Sequence, residues 1–214
     1  MTNDEPKSTI PVTTDTGWHT LLGAPTVLPI QEIKVPQKAG MVGVEFGVTV
    51  ALVYTNFIDT QFQAILANFP EITPSSLVIF EMYDTYLTSE GPKFGGCCIG
   101  GYHSALSSGQ VYMAFSYVGT TGVFSQDVDA LSHELAESVM DPFVDNNSPC
   151  GLLEVGDPLE DTANYGTYPY VRDGFTYHLQ DLTFITYFGA PATTSLASRT
   201  TFQGTALSVC ENGS

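Results

Sequence analysis

The sequence predicts an α+β protein: a twisted mixed sheet of four or five strands, one helix packed on it and a second helix beneath its edge. Two periodicities and a length carry that expectation. Residues 42–53, 77–86 and 111–118 are β-branched and aromatic runs of strand type. Phe62, Ile65, Leu66 and Phe69, and later Val128, Leu131, Leu135 and Val139, recur at spacings of three and four, the mark of amphipathic helices. The 214 residues, 43% hydrophobic, suffice for one domain with a sizeable core.

In chain order, residues 1–40 hold Pro6, Pro11, Pro25, Pro29 and Pro36 among scattered threonines and read as an extended arm, with a short strand at 26–33. The domain proper is expected over 41–214. It begins with one buried strand over 42–53. A helix N-capped by Asp59 follows and is closed by Pro70. A second strand spans 77–86, a glycine-rich segment that turns extended spans 95–106, and a third strand spans 111–118. The next helix is expected over 125–140. Ser125 is placed as its N-cap, and Asp127 and Asp129 fall in the first turn, where the helix dipole favours acids. Asp141 before Pro142 ends it, because the residue preceding a proline avoids the helical region. Residues 144–164 are irregular. A hairpin of 168–173 and 175–182 turns at Asp173-Gly174, and a short helix is expected over 182–188.

Charge narrows the partners. There are 23 acids against 6 lysines and arginines, a net charge of −17. Beyond Lys38 only Lys93, Arg172 and Arg199 remain. Such a surface repels phosphate backbones and anionic lipid, so neither nucleic acid nor a membrane is expected as partner. No apolar run approaches the roughly 20 residues of a membrane helix, and the opening Met-Thr-Asn-Asp-Glu-Pro-Lys carries no apolar signal segment. The compartment stays open between cytoplasm and secretion. Of the four cysteines, Cys97 and Cys98 are expected to face apart as neighbours in an extended segment. A Cys150–Cys210 bridge would tie the C-terminus to the loop after the second helix, stabilising by about 4 kcal/mol on the chain-entropy model.

The chemistry concentrates in His133-Glu134-Leu135-Ala136-Glu137. His133 and Glu137 are one helical turn apart and project from one face, so both can grip one ion. Glu134, about 100° further round, can reach a water on that ion without binding it. That face lies opposite the Val128–Leu131–Leu135 stripe, so the helix is expected to be buried on both sides, and buried His and Glu need a compensating partner. Two side chains do not complete a metal sphere. Glu154 or Asp157, in Glu154-Val155-Gly156-Asp157, could supply the third ligand. His103, in a Gly-Gly-Tyr-His segment, could be a further ligand, stabilise an oxyanion, or be a hydrogen-bonded strand residue. His178 has similar options. His19 reads as a plain arm residue.

Ser132-His133-Glu134-Leu135-Ala136-Glu137-Ser138-Val139-Met140-Asp141-Pro142, followed by Glu154-Val155-Gly156-Asp157, resembles a zincin-like group of bacterial and fungal proteins. The plant phosphate-induced, exordium-like proteins are its distant relatives. Gly101-Tyr102-His103 and Tyr177-His178-Leu179-Gln180-Asp181 are similar to the same group, and looser likeness runs over 41–190. The resemblance implies a zincin-type fold, with an edge strand bordering a cleft above the metal helix. Zinc is the ion it implies first. A carboxylate at position 137, where proteases of this type carry His, weakens the ion as a Lewis acid and makes manganese or iron admissible.

The expected function is therefore metal-dependent hydrolysis, of a peptide first, with His133, Glu137 and Glu154 or Asp157 as ligands and Glu134 as general base. The alternatives are a non-proteolytic metalloenzyme acting on a small molecule and a protein whose ion is structural.

Overall fold

The computed structural model describes residues 23–91, 95–189 and 200–207. His19 and Cys210 lie outside them. The class is α+β, with two helices and several sheets.

Residues 26–33 form no strand; Val27 and Ile30 are exposed and nothing pairs with them in a sheet. The single strand expected over 42–53 is instead a hairpin, β1 (Gly40–Glu45) and β2 (Val48–Tyr54). Its turn is Phe46-Gly47, with φ of 50° and 80°. Two residues in the left-handed region give the tight turn whose twist matches antiparallel strands. A phenylalanine is not a turn signal. It is accepted here because its ring packs on Tyr86, Phe124 and Tyr165.

α1 (Thr55–Leu66) begins one turn before the expected cap. Asp59 is inside the helix, and its Oδ1 accepts hydrogen bonds from the hydroxyls of Tyr102 (2.8 Å) and Tyr112 (2.6 Å). The strand expected over 77–86 breaks at Asp84 into β3 (Val78–Tyr83) and β4 (Thr85–Thr88). Asp84 has φ 43°; its N–H donates to Tyr117 and its carbonyl accepts from Ala51, so one peptide unit hands the strand from one sheet to the other. β5 (Cys97–Ile99) and β6 (Gly101–Ala105) follow, then β7 (Val111–Tyr117). Cys97 and Cys98, expected to face apart, are instead joined to each other as a disulfide. Cys150 is not a free thiol either.

The sheets have the orders β1-β2-β4-β5 and β3-β7-β6. β2 with β4 and β3 with β7 are parallel, whereas β6 runs antiparallel to β7 at an edge. Strand alternation sends Tyr102 to one face of the second sheet, toward α1, and His103 to the other. The α1 side is filled by Val53, Ile58, Phe62, Leu87 and Ala114.

The opposite face receives α2 (Asp129–Met140), which packs on β6, β7 and a later strand. This helix starts later than expected. Ser125 is not its cap: it sits at φ 58°, fully buried, its hydroxyl donating to the Ser116 carbonyl. Asp127 likewise precedes the helix. Both were placed by local propensity, but contacts distant in sequence set the start.

Residues 147–159 hold a minimal hairpin, β8 (Asn147–Ser148) and β9 (Gly151–Leu152), then a 3-10 turn over Asp157–Leu159. β10 (Thr167–Arg172) and β11 (Phe175–Gln180) form the expected hairpin, turning at Asp173-Gly174 with φ of 51° and 84°. β11 lies against α2. The short helix expected over 182–188 is a run of tight turns instead, after Thr183 pairs with Thr201 across a bridge.

Candidate metal centre

The most buried face of α2 is its polar one. Asp129, Ala130, His133, Glu134, Glu137 and Ser138 are buried, whereas Leu131, Leu135 and Val139 are only partly so. Polar side chains turned inward must find partners, and here they find each other and the segment 154–160.

His133 Nε2 lies 3.1 Å from Glu137 Oε2 and 3.3 Å from Asp157 Oδ1. Three donor atoms about 2.0–2.1 Å from one tetrahedral ion stand roughly 3.3 Å apart, so the spacing of His133 to both carboxylates fits such an ion. Glu137 is aimed by the backbone: its Oε1 accepts the Gly156 N–H at 2.9 Å, which leaves Oε2 for the cluster. Glu154 hydrogen-bonds to Glu137 from the same segment. Behind the ring, His133 Nδ1 faces Glu160 Oε1 at 3.7 Å. A carboxylate on the far nitrogen is the usual orienting group of a metal-binding histidine, here at ion-pair rather than hydrogen-bond distance.

Glu134 points the other way round the helix, toward β6, and its Oε2 is 3.3 Å from His103 Nδ1. His103 Nε2 donates to the Asp141 carbonyl at 2.9 Å. Since a carbonyl only accepts, Nε2 carries a proton, and Nδ1 is the nitrogen turned to the cluster, where it faces Glu134. Asp141 is fully buried, and its carboxylate accepts the N–H groups of Asp145 and Asn146. The Asp-Pro that ends the helix thus also sets the histidine of the edge strand.

Two glycines make room. A Cβ on Gly156 would lie 2.4 Å from His133 Nδ1, and one on Gly101 would lie 2.7 Å from Glu134 Cγ.

The electrostatics are those of a cluster with too much negative charge. Burial raises the pKa of Glu134. Burial, with Glu137 beside it, pushes Glu154 up to about 8. Glu160 and Asp129 are pushed up to about 7, chiefly by burial. Burial works against the charged imidazoles, yet Glu134 holds His103 up at about 8, and Asp157 and Glu137 hold His133 well above its ordinary value. Burial also opposes ionisation of Glu137, but His133 and the Gly156 N–H outweigh it and keep its pKa low. Among the described residues, the cationic groups within ion-pair distance of Glu134, Glu137, Asp157 and Glu160 are histidines. Protons stand where a cation would serve.

No family model matches the chain, and neither the curated proteins nor the solved structures yield a significant match. What the site does is read from its own geometry.

Of the residues singled out in the sequence, His133, Glu137 and Asp157 converge, Glu154 joins through Glu137, and Glu134 pairs with His103. His178 does not join them. Its Nδ1 donates to Asp127 Oδ2 at 2.6 Å, and its backbone N–H donates to Oδ1 of the same residue. Sequence reasoning missed Glu160, Asp141 and the two glycines. Gly156 had a signal, lying between two ligand candidates; Glu160 had none, because a 3-10 turn places it. Glu45 with Cys97 and Cys98 is a third grouping of ligand-type atoms, but sulfurs joined to each other offer no thiolate.

Proposed function

We propose that this chain is a zincin-like, metal-dependent hydrolase acting on peptide bonds, with a divalent ion, zinc first, held by His133, Glu137 and Asp157. The observation that carries this reading is the meeting of His133 Nε2 with Glu137 Oε2 and Asp157 Oδ1 at 3.1 and 3.3 Å on a buried helix face. β6, paired only with β7 in its sheet, would serve as the edge strand of such a site, and it carries His103 beside Glu134.

When bound, the ion would polarise the substrate carbonyl and acidify a water. The chain supplies the rest. Glu134, buried and hydrogen-bonded to His103, takes the proton of the attacking water and passes it to the leaving amine. His103 orients Glu134 and balances its charge as the proton moves. Glu154, hydrogen-bonded to Glu137, adds no negative charge beside the ligands while it holds its proton.

One observation favours a second reading. The donor set is dominated by carboxylates, which suit manganese or iron as well as zinc, and a non-proteolytic metalloenzyme acting on a small molecule would use the same ligands.

The test is cleavage of a peptide library by metal-loaded protein and its Glu134→Gln variant. Loss of cleavage with the ion retained is expected. Cleavage that survives in the variant, or loss of the ion held by His133 along with it, contradicts the assigned role. A manganese- or iron-loaded protein that cleaves no peptide favours the second reading.

A further inference from the structure

We propose that the buried cluster takes up a second divalent ion when fully loaded, the two bridged by Glu137 and the second lying among His103, Glu134 and Glu137. This rests on reading the cluster as a metal centre. It goes further in assigning a second ligand set.

The geometry contains two complete sets. His133, Glu137 and Asp157 form one; His103, Glu134 and Glu137 form the other, and within each set the ligand atoms lie within 4.8 Å of one another. Glu137 belongs to both. Its Oε1 is taken by the Gly156 N–H, so the two histidines converge on Oε2, His133 Nε2 at 3.1 Å and His103 Nδ1 at 3.9 Å. An oxygen shared by two ligand nitrogens is placed to bridge, as in paired-metal hydrolases whose ions stand about 3.5–4 Å apart. His103 is fit for the role because its Nε2–H donates to the Asp141 carbonyl, which makes Nδ1 the nitrogen an ion would meet in exchange for a proton.

Charge is consistent with this. The two charges of an ion on the first set are matched by Glu137 and Asp157, and an ion on the second would replace the proton that His103 shares with buried Glu134. Asp157 and Glu160 reach water. With one ion bound, Glu134 would be free as the base; with two, it would be a ligand, and the pair of ions would supply the acidified water. These are two loading states of one cluster.

Titration of the full, chelator-stripped chain with manganese alone separates the cases, with bound metal per chain counted after desalting and the bound ions read by electron paramagnetic resonance. Two retained equivalents with a spin-coupled spectrum are expected. His103→Ala and Asp157→Asn should each retain one equivalent with the six-line spectrum of an isolated ion, and Glu137→Ala should retain none. One equivalent with an isolated-ion spectrum in the unsubstituted chain overturns the second ion and leaves the hydrolase reading standing. Two equivalents that persist in His103→Ala also overturn it, since the extra ion then lies elsewhere. No retained metal removes both readings. Where a variant fails to fold by circular dichroism, the count and spectrum of the unsubstituted chain decide alone.

Discussion

The imidazole of His133 rests directly on the backbone of Gly156, so closely that a Cβ there would fall 2.4 Å from Nδ1 and 2.6 Å from Cε1. The same glycine donates its N–H to Glu137, so one residue without a side chain sets both members of the helical pair. Gly156→Ala must push the ring or the 154–160 segment away. Overpacking of this kind costs about 1–3 kcal/mol, and misplacing the support of a metal ligand lowers affinity roughly 10–100-fold. Competition titration against a chromophoric chelator reads the affinity, and a thermal melt reads the stability. Unchanged affinity would mean that the ring does not bind the ion from this position.

Glu134 is expected to separate chemistry from binding. Glu134→Gln keeps the shape and the packing against Gly101 but removes the base, so turnover should fall by about 10²–10⁴-fold, while the ion on His133, Glu137 and Asp157 stays. Single-turnover cleavage of a fluorogenic peptide, with metal analysis of the same sample, checks both halves.

The metal-free protein should lose stability as pH rises. Glu154 titrates near 8, and Glu160 and Asp129 near 7, each above its unfolded value. A carboxyl with a raised folded pKa contributes stability below its unfolded pKa and loses it as pH climbs through the folded one. His103, raised to about 8, acts in the same sense: its contribution is full below about 6.5 and gone above its folded pKa. Glu137, lowered, acts oppositely, but only in acid. The melting temperature of chelated protein should therefore drop by roughly 5 °C or more between pH 5.5 and 8.5. Added zinc should stabilise more at the higher pH, where protons no longer compete for the ligands. A chelated protein that is more stable at pH 8.5 than at 5.5 would contradict the assignment of these groups.

Asp127 is expected to matter for folding and not for metal. It sits at φ 39° and accepts N–H groups from Val128 and from both the backbone and the ring of His178, tying the start of α2 to β11. Hydrogen bonds to a partly buried carboxylate are worth about 1.5–3 kcal/mol each. Asp127→Ala should lower stability by about 2–4 kcal/mol in a denaturant titration with metal stoichiometry unchanged.

The parts of this structure that were legible in the sequence are those fixed by short-range pattern. His133 and Glu137 share a helix face because they are four apart, and the turn at Asp173-Gly174 is set by two residues suited to positive φ. Asp157 and Glu154 were readable as candidates, though not which of them meets His133. What stayed hidden depends on partners far away in the chain. The breaks at Phe46 and Asp84 are held by rings and peptide groups of other strands. Ser125 is a good N-cap by type, yet its hydroxyl serves Ser116 and the helix starts four residues later. The pairing of His103 with Glu134 needs a strand to be laid against a helix thirty positions away, which no local spacing encodes.

The most direct test is the metal content of protein purified without added metal and without chelator, measured beside His133→Ala prepared identically. At least one equivalent of a divalent transition metal per chain is expected, falling to background in the variant. No metal above that background, together with no thermal stabilisation on adding zinc, would contradict the assignment of this cluster as a metal centre.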